Sequence, residues 1–210
     1  MNRLVGAITI GQAPRPDLLA PLLARLPGDV EVVEVGALDG LAADDLPRAA
    51  DLHHPLATRL RDGTPVTLDE AFLVPLVQAA VDAADARCVE ATLLLCAASF
   101  AAVRSRRPLV RPLDAAVSVL RRAGAGRIVV VVPVEAQAAW SEAKWREAGF
   151  DPLVIVGDLS LADAAGRISA MVLDYVGHAT EDVVALHRAL GVPLVDLGEA
   201  GADAAAARFR

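Results

Sequence analysis

Cys96 is the residue whose type and position offer the clearest chemistry in this sequence. It ends the apolar run Thr92–Leu95, and the small residues Ala97, Ala98 and Ser99 follow it. Such a run predicts a strand that is buried on both faces, and open α/β sheets bind ligands outside the carboxyl ends of their strands. Cys96 is therefore a candidate nucleophile or acid–base group, beside a stretch of backbone that a ligand can approach. The alternative is a structural thiol that packs as a small hydrophobic side chain.

The loop after the first predicted strand carries further polar candidates. Residues 3–10 form a β-prone apolar run, and the sequence GQAPRPD follows it before a helical pattern begins. Loops in this position commonly contact ligands, and an arginine can hold a carboxylate through two parallel hydrogen bonds. We therefore expect Gln12 and Arg15 to bind a carboxylate. Asp17 is expected to be the N-cap of the first helix.

Tyr175 is the corresponding candidate in the second half of the chain. It ends the predicted strand AMVLDY, which closes on Asp174 and Tyr175, and is followed closely by Gly177 and His178. Asp174 could polarise the phenol or cap a helix, and both possibilities stay open. His178 could relay a proton beside Tyr175, or it could be a hydrated histidine with no role after a strand.

The two halves of the chain repeat one plan. Residues 8–14 and 130–135 each form a strand followed by a proline-containing polar loop, and later in each half an apolar strand ends at Cys96 or at Tyr175. This arrangement predicts an α/β fold of two related Rossmann-like lobes with mostly parallel sheets and pseudo-twofold symmetry. Facing strand ends would place the thiol and the phenol across one cleft.

The predicted lobes have definite boundaries along the chain. The first would span residues 1–112 and the second residues 113–195. A terminal helix within residues 196–210 would pack back on the first lobe.

Two further elements are predicted from local signals. β-prone runs flank Asp62-Gly63 within residues 56–68, and this dipeptide is a strong hairpin signal. Thr67 and Glu70 have the spacing of a capping box at the start of the following helix. In the second half, a short helical pattern covers residues 158–168.

Composition excludes several classes of protein. The net charge of −7 argues against a nucleic-acid surface, which needs a basic stripe. No apolar run approaches the ~18 residues of a membrane span, and the N-terminus lacks a signal peptide's features. Two cysteines do not make a disulfide framework, so we expect a reduced, cytoplasmic protein. His53 and His54 lack a third ligand nearby, so no metal is expected. Trp140 and Trp145 are interpreted as packing residues.

Six segments of the sequence together resemble the successive landmarks of the AroM family, in the family's order and over almost the whole chain. That family belongs to the aspartate/glutamate racemase-like superfamily, and the resemblance implies two related α/β lobes with the site between them. Better-understood members are racemases, isomerases and decarboxylases that act next to a carboxylate without a cofactor. The segments are ITIGQAPRPD (8–17), TRLRDG (58–63), LLLCAASF (93–100), VVVPVEAQ (130–137), KW (144–145) and VLDYVGH (172–178).

The sequence departs from the two-cysteine plan that the resemblance implies for the racemases. Cys96 matches the cysteine of the first lobe, but Tyr175 stands where the second cysteine is usual, and Ala97 and Ala98 replace small polar residues. A phenol with an ordinary pKa of about 10 is a poor base at neutral pH but can protonate a carbanion. The site therefore suits one-sided proton transfer, as in decarboxylation followed by protonation or keto–enol isomerisation. The alternative is a non-catalytic carboxylate-binding or regulatory protein.

The resemblance also indicates which residues would surround a ligand. Gln12, Arg15 and the backbone of Ala97, Ala98 and Ser99 would hold the carboxylate from the first lobe. The landmarks of the second lobe contribute Pro133, Glu135, Gly177 and His178. We expect a small carboxylate or amino acid as the ligand, no metal or cofactor, no nucleic-acid or membrane partner, and a homodimer.

Overall fold

The computed structural model describes residues 3–47, 52–156, 167–177 and 181–210. His178 and residues 158–166 of the predicted helix lie outside the described residues. The strands are β1 (Arg3–Thr9), β2 (Val30–Gly36), β3 (Pro55–Arg59), β4 (Pro65–Asp69), β5 (Ala91–Leu95), β6 (Leu109–Val110), β7 (Arg127–Val132), β8 (Asp151–Val156), β9 (Ala170–Leu173) and β10 (Leu194–Asp196). The helices are α1 (Pro16–Leu23), α2 (Glu70–Ala86), α3 (Pro112–Arg122), α4 (Ala138–Glu147), α5 (Glu181–Leu190) and α6 (Leu197–Ala206).

Two four-stranded sheets form the frame of the protein, and the chain builds both in the same way. The first sheet has the order β2-β1-β5-β6, and the second has the order β8-β7-β9-β10. Every pairing within both sheets is parallel. If β7, β8, β9 and β10 are matched in sequence to β1, β2, β5 and β6, the two orders are identical. The predicted α/β class with parallel sheets is confirmed.

Apolar side chains explain why β1, β5, β7 and β9 are the central strands. All five residues of β5 and all four of β9 are buried, whereas the edge strands β2 and β8 are only partly buried. Uninterrupted apolar runs are typical of parallel strands that helices cover on both faces. Because the strands run parallel, the residues that follow β1, β5, β7 and β9 emerge at the carboxyl ends of the sheets, where α/β proteins bind ligands.

Two helices begin at residues other than those predicted. α1 begins at Pro16 with Arg15 as its N-cap residue, since proline is pre-organised for the first helical position. Asp17 therefore lies in the first turn and is not the N-cap. α2 is capped by Asp69, whose carboxylate accepts a hydrogen bond from the Ala71 N–H, and not by Thr67. The reason is that Thr67 pairs with Ala57 inside the hairpin.

The predicted hairpin is present, as the antiparallel pair β3 and β4. Its turn is closed by the Leu60 N–H, which donates to the Thr64 carbonyl oxygen at 2.9 Å. Gly63 adopts a φ of +89° in this turn, a conformation that glycine accepts without steric cost. The hairpin belongs to neither four-stranded sheet, so it is free to serve as a separate wall.

The terminal helix α6 packs on the first sheet. Ala202, Ala205 and Phe209 share a buried cluster with Val5 and Leu19. A side chain at Gly201 would approach Leu93 and Pro112 to 3.1 and 3.0 Å, so the absence of one lets the helix lie close to β5. Of the helices that the structure describes, none has the length and hydropathy that a membrane crossing requires.

Candidate active site

A cleft of about 570 Å³ lies at the carboxyl ends of the central strands, and residues of both sheets and of the hairpin line it. Cys96 and Tyr175, the two groups that the sequence singled out, both face this cleft. Its walls are formed by Thr9, Ile10, Arg15, Asp17, Leu18, Leu56, Ala57, Thr58, Arg59, Pro65, Leu95, Cys96, Ala97, Ala98, Pro133, Gln137, Trp140, Asp174, Tyr175, Val176 and Gly177.

Cys96 directly follows β5, and its thiol is nearly enclosed. The residue is 6% exposed, and its Sγ accepts a hydrogen bond from the Ala98 N–H at 3.4 Å. Burial raises the pKa of the thiol to about 11, against the smaller lowering effects of the Ala98 amide and the Lys144 ammonium. The thiol is therefore protonated at neutral pH, and a protonated thiol is a proton donor and not a nucleophile.

Tyr175 follows β9 by two residues and is partly buried. Burial raises the pKa of its phenol above the ordinary value of 10, and the nearby Asp196 carboxylate adds to the effect. Like Cys96, Tyr175 carries its proton at neutral pH. The cleft thus holds two neutral donors, one from each sheet.

Arg15 lines the cleft but its charge is already paired. Its Nε and a terminal nitrogen donate to the two oxygens of Asp17 at 2.9 and 2.7 Å. This hydrogen-bonded partner lowers the pKa of Asp17. The expected bidentate carboxylate grip is present, but the carboxylate belongs to the protein.

Gln12, predicted to bind substrate, is not among the residues of the cleft wall. Its Nε2 donates to the carbonyl oxygens of Leu38 and Leu41 at 3.0 and 2.8 Å, and its Oε1 accepts from the Arg61 N–H at 2.8 Å. All of these partners are backbone groups of two distant loops. Gln12 therefore fastens the turn of the hairpin to the loop after β2.

Gly11, next to Gln12, lets the hairpin sit against the end of β1. A Cβ atom at this position would lie 2.4 Å from the Arg59 carbonyl oxygen and 2.4 Å from Thr58 Oγ1. From the other side, buried Gln137 donates through Nε2 to the Pro55 carbonyl oxygen at 3.0 Å. Residues that follow the first strand of each sheet therefore hold the hairpin over the cleft.

The remaining predicted site residues divide between the cleft and the surface. Ala97, Ala98, Pro133 and Gly177 line the cleft. Ser99 is not part of its wall. Glu135 is also absent from the wall and is exposed in a short 3₁₀ turn before α4.

The hairpin contributes Arg59, a cleft residue that the sequence analysis did not identify. Arg59 is exposed on β3, and its guanidinium has no acceptor among the described residues, unlike that of Arg15. The landmark TRLRDG contains Arg59, but a local pattern does not reveal which surface a hairpin covers. Trp140, interpreted as a packing residue, also lines the cleft, whereas Trp145 is fully buried.

Asp174 belongs to a buried polar cluster beneath the cleft. Its Oδ1 accepts from Lys144 Nζ at 2.6 Å, and its Oδ2 accepts from Ser141 Oγ at 2.5 Å. Lys144 Nζ also donates to the Ala97 carbonyl oxygen at 3.2 Å. Neither of the two roles left open for Asp174, capping a helix and polarising Tyr175, is found among the described residues, where both of its oxygens are bound by residues of α4.

Comparison with known proteins gives one family and several similar folds. The family described as AroM protein matches residues 5–201, and no curated protein sequence matches the chain. A liganded double mutant of arylmalonate decarboxylase has a TM-score of 0.68 and 18% identity, over 99% of this chain and 92% of that one. Allantoin racemase from Klebsiella pneumoniae has a TM-score of 0.66 and 18% identity, over 98% and 86%.

A third similar structure carries chemistry on a cysteine. It is a mutant of maleate cis-trans isomerase from Nocardia farcinica with a covalently bound succinylcysteine intermediate, with a TM-score of 0.59 and 16% identity over 99% of this chain and 92% of that one. At these identities the likeness concerns the fold.

Proposed function

The chain belongs to the AroM family, and from this premise we propose that its cleft binds a small carboxylic acid and that Cys96 protonates the carbon next to the carboxylate. The observation that carries the proposal is the shared cleft. Cys96 and Tyr175 follow strands that occupy equivalent positions in the two sheets, and both line it. The similar folds include a decarboxylase, a racemase and an isomerase, which supports the same general class.

The supply of protons and bases in the cleft favours decarboxylation over racemisation. Cys96 and Tyr175 are both protonated at neutral pH because burial raises the pKa of each. The two carboxylates of the wall have both oxygens engaged, Asp17 by Arg15 and Asp174 by Lys144 and Ser141. Among the described wall residues, no free carboxylate or thiolate is left to remove a C–H proton.

A decarboxylation needs only a donor. The bond between the α-carbon and the leaving carboxylate breaks, its electron pair remains on the α-carbon as an enolate of the second carboxylate, and CO₂ departs. The Cys96 S–H then gives its proton to the α-carbon, and the thiolate recovers a proton from water. A hydrogen bond from the Tyr175 phenol would stabilise the enolate oxygen, a contribution that preorganised donors typically make at several kcal/mol.

Nucleophilic attack by Cys96 is the less favoured use of the same thiol. The succinylcysteine of the Nocardia farcinica enzyme records a covalent bond to a cysteine. Such a bond requires a thiolate, and the raised pKa of Cys96 keeps this thiol protonated at neutral pH.

Arg59 is the group that we propose for recognition of the substrate carboxylate. Arg15, the other arginine of the wall, is neutralised by Asp17, whereas the Arg59 guanidinium has no partner among the described residues. The backbone at Ala97 and Ala98 lies on the opposite side of the reacting carbon in this proposal. A ligand would thus extend from the strand ends toward the hairpin, along an apolar wall that includes Leu56 and Trp140.

The experiment is isotope incorporation in D₂O. Substituted malonates and small amino acids are incubated with the protein, and NMR and mass spectrometry follow deuterium at the α-carbon together with loss of CO₂. We expect incorporation that is lost in Cys96→Ala and retained in Cys88→Ala, since Cys88 is the other free cysteine and is exposed. Equal incorporation, or equal absence of it, in the two variants refutes a catalytic role for Cys96.

Binding without turnover is the second candidate, and the near-complete burial of Cys96 is the observation that favours it. A thermal shift with dicarboxylates, without isotope exchange in any acid tested, would select this function. A homodimer and a cytoplasmic location stay predictions from the sequence.

A further inference from the structure

Lys144 is the only lysine in the chain. The sequence contains 20 lysines and arginines in total, and all of the others are arginines. Its side chain is 7% exposed and that of its partner Asp174 is 1% exposed. Lysine thus occurs at a single position in this chain, and that position is enclosed.

The Lys144 ammonium contacts both ends of the candidate site. It donates to the Ala97 carbonyl oxygen at 3.2 Å and to Asp174 Oδ1 at 2.6 Å. Ala97 follows Cys96 and Asp174 precedes Tyr175. One cation is therefore bonded to the neighbour of the thiol in the first sheet and to the neighbour of the phenol in the second.

The surroundings of the ammonium fix its position. Ser141 Oγ holds the second oxygen of Asp174 at 2.5 Å, and Lys144 Nζ lies 4.5 Å from the centre of the Trp140 ring, which provides a cation–π contact. Lysine presents a compact charge with three donors, whereas the planar fork of arginine matches bidentate acceptors. Here the acceptors are one carboxylate oxygen and one carbonyl, on different segments.

We propose that Lys144 is a positioning residue that ties the segment after Cys96 to the segment before Tyr175 and so holds the thiol and the phenol across one cleft. The proposal rests on the proposed function for its consequence, which is the geometry of proton donation. The contacts that carry it do not depend on any substrate.

The ionisation of the Cys96 thiol distinguishes the charge of Lys144 from an effect of looser packing. The charged groups that act on the thiol are Lys144 on α4, Glu70 at the start of α2 and Asp174 after β9, and only Lys144 favours the thiolate. Removing the lysine should therefore make Cys96 harder to ionise, and removing the Asp174 charge should make it easier. If the substitutions only loosened the packing around Cys96, water would enter and the thiol would ionise more easily in both variants.

The test measures Cys96 alkylation by iodoacetamide at pH 8 in a Cys88→Ser background, where Cys96 is the sole thiol. We expect Lys144→Met to slow alkylation by about threefold or more, which corresponds to a pKa change of about 0.5. Asp174→Asn should accelerate it by a similar factor. Rate changes of the same sign in the two variants would overturn the electrostatic part of the proposal.

The connection between the two segments is tested in the double variant Lys144→Met/Asp174→Asn. Because this variant leaves no unpaired buried charge, it is less prone to misfold than either single variant. Hydrogen exchange followed by mass spectrometry should show faster exchange in residues 96–99 and in residues 174–177 together, with β3 and β4 unchanged. Acceleration confined to α4, or to one segment, refutes the tie. Neither measurement uses a substrate, so a negative isotope experiment would remove the proposed function and leave this result standing.

Discussion

Replacing Gly11 with alanine should push the hairpin away from the cleft. The new Cβ would lie 2.4 Å from the Arg59 carbonyl oxygen, whereas ordinary contacts begin at 3.4 Å, so β3 would have to move by about 1 Å. The clashing atom is backbone, and a rotamer change cannot relieve the overlap. The hydrogen bond from the Gln12 N–H to the same carbonyl is 3.2 Å long and would break with this shift.

The expected cost follows from these two effects. Overpacking typically costs 1–3 kcal/mol and a lost hydrogen bond about 1 kcal/mol, so we expect a loss of about 3 kcal/mol. For a chain of this size that corresponds to a fall in Tm of roughly 6–12 °C. Because Thr58 and Arg59 move with the strand, affinity for a dicarboxylate such as malonate or succinate should fall as well.

The assay combines thermal unfolding with calorimetric titration, and Gly40→Ala is the matched control. A Cβ at Gly40 would meet no atom within 4 Å. If Gly11→Ala and Gly40→Ala have the same Tm and the same affinity, the hairpin does not depend on this close approach and the account of the GQAPRPD loop is wrong.

Three further predictions follow from single contacts. Arg59→Gln should weaken dicarboxylate binding by about tenfold or more, the loss expected for a charge-assisted hydrogen bond. The exposed control Arg106→Gln should leave the affinity measured by calorimetry unchanged. Equal affinities in the two variants refute the assignment of Arg59. The pKa of Cys96 is raised from 9.0 to about 11, so the unfolded state loses this proton first as pH rises. Wild type should therefore lose about 2 kcal/mol of stability relative to Cys96→Ala between pH 9 and 11 in urea titrations, and parallel pH curves contradict the raised pKa. Lys144→Met should lower the free energy of unfolding in urea by about 3–5 kcal/mol, because Asp174 is left buried and unpaired. The double variant Lys144→Met/Asp174→Asn should recover part of this loss. If the losses of the two single variants simply add in the double variant, the two side chains are not coupled.

The parts of the fold that sequence could predict are those that local patterns determine. The apolar runs before Cys96 and Tyr175 identify two central strands, because a strand buried on both faces consists almost entirely of apolar residues. The carboxyl-end rule for parallel sheets then brings both residues toward ligand positions. The Asp62-Gly63 signal likewise identified the hairpin, since a tight turn is a local event.

The roles of residues whose partners lie far away along the chain could not be predicted from the sequence. Gln12 was expected to bind substrate because it lies in a loop after a strand, but its Oε1 partner, the Arg61 N–H, is 49 residues away. Arg15 was expected to bind a ligand carboxylate, but its guanidinium is paired with the carboxylate of Asp17. The pairing of Lys144 with Asp174 spans 30 residues, and the KW landmark at 144–145 does not indicate that partner.

The pH dependence of turnover can decide the direction of proton transfer at Cys96. If the thiol donates its proton to a carbanion, the active form is the protonated one, which persists until the pH approaches the raised pKa of about 11. The kcat for CO₂ release should then be flat from pH 7 to about 9 and fall only as the pH nears 11, where the donor is lost. If Cys96 instead removes a proton or attacks a carbon, the active form is the thiolate, and kcat should rise about tenfold per pH unit over the same interval. In Tyr175→Phe the donor mechanism retains the flat profile with a lower kcat, because the phenol stabilises the enolate without titrating in this range. A rising profile in wild type would therefore contradict the donor assignment even if Cys96→Ala were inactive.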